Sequence, residues 1–154
     1  IPLLPTHTAF AHCDVPCGIY DPHASLVAAH SVIRMTQMLK ETEKEPDGLV
    51  REHKVSRMTK VKEEHAEIVK REVCVLWGDY FKEEHFKEYP DLHNLVNQIL
   101  KLSSKSKQNI DISVAQELLS KVSALAEIFY KTKNVEPIRI KSLYPTEEDI
   151  VSYK

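Results

Sequence analysis

Four separate stretches of this 154-residue chain repeat apolar residues at intervals of three and four, and that period commits most of the sequence to amphipathic helices packed on one another. The first carries Leu26, Ala29 and Ile33 with Ala28, Val32, Met35 and Leu39, and runs to about Lys44. Asp21 caps it, with Pro22 at the first helical position, where a missing N–H costs nothing. Glu45-Pro46-Asp47-Gly48 ends it. The second, from about Val50 to Phe81, is expected to place Val55, Met58, Val61, His65, Ile68, Glu72 or Val73, Leu76 and Tyr80 along one side.

A loop from Lys82 to Tyr89 leads to a third helix that begins near Pro90 and carries Leu92, Leu95, Val96, Ile99 and Leu102; the Ser- and Lys-rich residues 103–108 are expected to be a connection. The fourth helix, about Ser113 to Lys133, aligns Ala115, Leu118, Val122, Leu125 and Phe129. None of these helices is apolar all round, so each must bury its stripe against the others, and the predicted fold is all-α: an antiparallel four-helix bundle. Beyond Asn134, the residues Pro137, Ile138, Ile140, Leu143, Tyr144 and Pro145 predict an extended C-terminal tail over 134–154, with a last helical turn starting at Thr146.

A formal net charge of -2 gives no reason to expect a nucleic acid partner, and no apolar run reaches the roughly 20 residues of a membrane span. The mixed charges from Lys60 to Arg71 read as a solvated helix face. Cys74, alone in an apolar helical stretch, is expected in the core. The histidines at 23, 30, 53, 65, 85 and 93 are expected to be exposed or satisfied by hydrogen bonds.

The run His12-Cys13-Asp14-Val15-Pro16-Cys17-Gly18-Ile19-Tyr20-Asp21-Pro22 stands apart from the helical pattern. It has the composition of a metal hook: two thiols that face one ion when the backbone turns back, a proline that fixes one φ and a glycine that relaxes the exit. Ala9-Phe10-Ala11 is a small-x-small processing signature, so residues 1–11 read as a leader or pro-peptide whose removal leaves His12 at the mature N-terminus. The new amine and the Cys13 amide nitrogen then become available as ligands, and Ni(II) and Cu(II) favour such tetragonal, nitrogen-rich sites. A small Cys13–Cys17 disulfide loop is the plain structural alternative.

The hook resembles the N-terminal motif H-C-D-x-P-C-G-x-Y-D-P of nickel superoxide dismutases at every defined position. A second run, Val75-Leu76-Trp77-Gly78-Asp79-Tyr80-Phe81-Lys82 with His85-Phe86 and Tyr89-Pro90-Asp91-Leu92-His93, is similar to that family's other well-marked segment. The resemblance covers His12 to about Lys133 and implies a domain over 12–133 with its hook at 12–20. It implies one nickel ion per chain, held by the His12 amine, the Cys13 amide nitrogen and the sulfurs of Cys13 and Cys17, with the His12 imidazole as an axial ligand in the oxidised state. The implied reaction is disproportionation of superoxide to dioxygen and peroxide.

In that resemblance Tyr20 and Tyr80 crowd the vacant side of the metal, and Asp14 with the backbone around Cys17 holds them and assists proton delivery; Lys82, just past Tyr80, is expected either to draw in the anion by its charge or to be a plain surface lysine. A homohexamer and a processing protease are the implied partners, with a cytoplasmic location expected and an exported or organellar one left open by the leader. Two positions depart from the family: the glutamate and arginine that orient the axial imidazole correspond here to Ala28 and His65. The alternative function is a non-catalytic Ni-, Cu- or Zn-binding or delivery protein; zinc would prefer a tetrahedral site and do no redox chemistry.

Overall fold

The computed structural model describes residues 17–154; His12, Cys13 and Asp14, with the leader and most of the hook, lie outside the described residues. Helix α1 spans His23–Glu41, α2 Leu49–Val75, α3 Glu83–Glu88, α4 Leu92–Gln108 and α5 Ile112–Thr132, followed by strands β1 (Pro137–Lys141) and β2 (Asp149–Tyr153). The four long helices close on each other in the order α1, α2, α4, α5, with α5 returning to α1. Their apolar stripes form one core, including Leu26, Val32 and Ile33 from α1, Val69 and Val73 from α2, Ile99 from α4 and Leu118, Val122 and Leu125 from α5.

Local chemistry accounts for the helix ends. Oδ1 of Asp21 accepts from the His23 N–H at 2.6 Å, so Asp21 satisfies a first-turn donor as expected, although Pro22 precedes the first helical residue. Asp111 does the same for α5, accepting from the N–H and the hydroxyl of Ser113 at 2.9 and 2.6 Å. Helix α5 ends in a Schellman motif: Asn134 takes φ 59°, its N–H donates to Lys131 and the Val135 N–H donates to Tyr130.

Several sequence-based expectations are corrected. The fold is mostly helical but not all-α, because the tail is a two-stranded antiparallel hairpin with Arg139 opposite Val151; Ile150 and Val151 enter the core, and Thr146 lies in a turn rather than starting a helix. A short helix, α3, occupies the stretch expected to be a loop, and α4 runs through residues 103–108, where Ser103 and Ser106 are buried and the Ser103 hydroxyl donates to the Ile99 carbonyl. Met58 and Val73 of α2 face inward as expected, but between them the buried residues are Lys62, Ala66 and Val69, with Val61, His65 and Ile68 only half-buried, since small Ala66 and the long lysine stem take the inner side. Cys74 is exposed, not core. Lys62, expected on a solvated face, is 1% exposed, and its ammonium donates to the Asn109 carbonyl at 2.7 Å.

Candidate active site

Three chain segments meet at one end of the helices: residues 17–20 before α1, the end of α2, and the end of α5. A π-helical turn, Leu76–Tyr80, closed by the Phe81 N–H donating to the Leu76 carbonyl at 2.9 Å, finishes α2. The wider turn leaves Trp77, Gly78 and Asp79 outside and swings Tyr80 inward. Tyr80 is 9% exposed and packs on Phe129 of α5 with ring centroids 4.7 Å apart.

The sequence-predicted pair Tyr20 and Tyr80 is brought together, with ring centroids 5.5 Å apart and planes tilted by 51°. Both line a cleft of about 420 Å3 shared with Gly18, Lys82, His85, Thr132 and Lys133. Cys17 lies exposed just before it, and its sulfur accepts from the Ile19 N–H at 3.5 Å across Gly18, whose φ of +71° a side chain would strain. Carboxylates of Asp79 and Glu84 and ammoniums of Lys82 and Lys133 share the rim.

The functional neighbours of Tyr80 that sequence reasoning missed are Thr132, Lys133 and His85. The phenol oxygen of Tyr80 lies 2.7 Å from Oγ1 of Thr132, and Nζ of Lys133 lies 4.7 Å from the centre of its ring. His85 stacks on Tyr80 at 5.6 Å with planes 17° apart, and its Nδ1 accepts from the Lys82 N–H at 3.1 Å. Thr132 and Lys133 follow Phe129, the last residue of the expected apolar stripe of α5, so only the fold shows that they belong to this cleft.

The positions that depart from the resemblance are also placed. Ala28 is 2% exposed, within the core. His65 donates from Nδ1 to the Val61 carbonyl of its own helix at 2.8 Å, which leaves Nε2 as an acceptor in the neutral ring. Buried His30 pairs with Thr146 of the tail through Nδ1.

Two tyrosines wall this cleft, lysines flank it and a cysteine-bearing loop meets it, which sets an exposed thiol beside a cationic rim. The family model for nickel-containing superoxide dismutase matches residues 7–133. The superoxide dismutase [Ni] of Streptomyces coelicolor is 41% identical over 129 residues, 84% of this chain and 93% of that protein. That of Streptomyces seoulensis is 41% identical over 123 residues, covering 80% and 88%. The native 1.30 Å structure of a nickel superoxide dismutase superposes with a TM-score of 0.71 at 39% identity, covering 79% of this chain and 99% of that one.

The chain belongs to the nickel-containing superoxide dismutase family. It is an oxidoreductase whose substrate is superoxide and whose metal is nickel.

Proposed function

We propose that the active centre is made by removal of residues 1–11 and comprises His12, Cys13, Asp14, Cys17, Tyr20 and Tyr80, with His12, Cys13 and Cys17 holding the nickel. The single observation that supports this most is the meeting of Tyr20 and Tyr80, distant in sequence, at the cleft into which the Cys17 loop leads. The donor set suits the metal: two thiolates with an amine and an amide nitrogen favour a tetragonal ion.

When bound, nickel supplies the one-electron couple between Ni(II) and Ni(III) that dismutation requires. The remaining work falls to the chain. Thiols with an ordinary pKa of about 8.5 and an α-amine of about 7.7 to 8.0 must give up protons to bind a metal, so affinity falls in acid. Tyr20 and Tyr80 narrow the cleft to small molecules and order water in it, while Asp14 holds them and helps to supply the two protons consumed per cycle. We further infer that α1, α2, α4 and α5 form an antiparallel four-helix bundle, since the start of α1 and the ends of α2 and α5 share one cleft, and that six such chains assemble.

Cys13→Ser and Cys17→Ser test the site. Each abolishes superoxide consumption; for Cys17→Ser, helix content and thermal unfolding stay near those of the parent, because Cys17 is exposed and outside the core. Retained activity in either variant would refute the ligand assignment, and loss of the fold would favour a structural disulfide.

A further inference from the structure

The hydrogen bonds around Tyr80 fix the direction in which its phenol can act. The Thr132 hydroxyl donates to the Phe129 carbonyl at 2.7 Å. A threonine hydroxyl has a single hydrogen, so Oγ1 can only accept from Tyr80, 2.7 Å away, and the phenol is the donor. The phenol has one hydrogen too. Whatever approaches its oxygen from the cleft therefore meets lone pairs alone. The ring cannot easily turn away, because His85 covers it at 5.6 Å and the Lys133 ammonium sits 4.7 Å from its centre.

We propose that Thr132 is a positioning residue for Tyr80: by taking the phenol hydrogen it makes Tyr80 an acceptor toward the cleft, suited to water or peroxide and not to gripping the superoxide anion. Superoxide carries no hydrogen and can only accept hydrogen bonds. A free phenol would hold it as a donor holds any anion, whereas a phenol already committed to Thr132 leaves it mobile and gives proton-bearing species a place to dock. The inference rests on the placement of Tyr80 in the active site argued above.

The test uses nickel-loaded protein beginning at His12, superoxide decay by pulse radiolysis, and azide as a probe anion. Thr132→Val keeps the side-chain shape and removes the acceptor; Thr132→Ser keeps the hydroxyl. The valine variant loses about tenfold in rate, the equivalent of one hydrogen bond, and is inhibited by azide at lower concentration, while the serine variant stays within about twofold of the parent. In a Tyr80→Phe background the valine substitution changes neither quantity.

Equal damage from valine and serine, an additive loss in the Tyr80→Phe background, or unchanged azide inhibition overturns the proposal. If Tyr80→Phe alone runs at the parental rate, the site assignment of Tyr80 fails and the role of Thr132 with it. If Tyr80→Phe is impaired and Thr132→Val is not, only the role of Thr132 fails.

Discussion

Nδ1 of His30 lies 2.9 Å from Oγ1 of Thr146, and this contact ties the C-terminal hairpin to α1. The Tyr144 ring meets the same imidazole edge to face at 5.0 Å, and Nε2 is buried with no hydrogen-bond partner among the described residues. The hairpin lies past residue 133, where the family match stops. It is held by this chain's own pairs, among them Arg139 with Glu127 at 2.7 Å and Gln116 with Glu148 at 2.8 Å.

Stability should fall in mild acid because of His30. Burial holds its pKa below the ordinary 6.5, and the Asp149 backbone and the Glu148 carboxylate only partly oppose that shift. The unfolded chain therefore binds the extra proton first, so the contribution of neutral His30 is complete above about 6.5 and is lost as pH falls below it. Melting temperatures at pH 7.5 and 5.5 check this: the parent loses more on acidification than His30→Gln, and equal losses would refute it.

Buried Lys62 should be replaceable by an apolar residue of its own length. Burial pushes its pKa down, and its stated partner, the carbonyl of exposed Asn109, can bind water instead. Removing a buried charge while keeping the stem is often neutral, whereas deleting a buried stem costs about 2 to 5 kcal/mol. Urea unfolding should find Lys62→Met within about 1 kcal/mol of the parent and Lys62→Ala well below it.

Lys82 and Lys133 on the cleft rim should set the salt dependence of the reaction. Encounter of an anion with a positively flanked cleft slows as salt screens the field. The Lys82→Gln/Lys133→Gln pair should be slower at low ionic strength and show a flatter response to added salt, read from superoxide decay; an unchanged slope would remove both from this role.

How far the sequence revealed this molecule depends on the feature. The apolar positions of α4 and α5 were legible, since Leu92, Leu95, Val96 and Ile99 and likewise Leu118, Val122, Leu125 and Phe129 are all buried, but the last turns of α4 were not, because their inward residues are Ser103 and Ser106. In α2 the ends of the stripe were legible, since Met58, Val73, Leu76 and Tyr80 are buried, but its middle was one position off, because Val61 and Ile68 outweigh Lys62 and Ala66 on any apolar scale, and a lysine buries its long stem without advertising it. The π-turn left no signal in the period, yet it delivers Tyr80 to the cleft. Family membership was legible because two segments carry its residue types in fixed order, whereas Thr132 and His85 meet Tyr80 through a hydrogen bond and stacking, which spacing does not encode. Hairpin pairing was hidden as well: the tail read as extended, but nothing local named Thr146 as a partner for His30.

The central claim is that a freed N-terminal amine at His12 completes the nickel site. Nickel content and superoxide consumption, measured side by side on protein beginning at His12 and on protein still carrying Ile1 to Ala11, test it most directly. The account predicts about one nickel per chain and turnover near the diffusion limit of about 10⁸ to 10⁹ M⁻¹s⁻¹ for the first, and neither for the second. Equal activity in the two forms would contradict it.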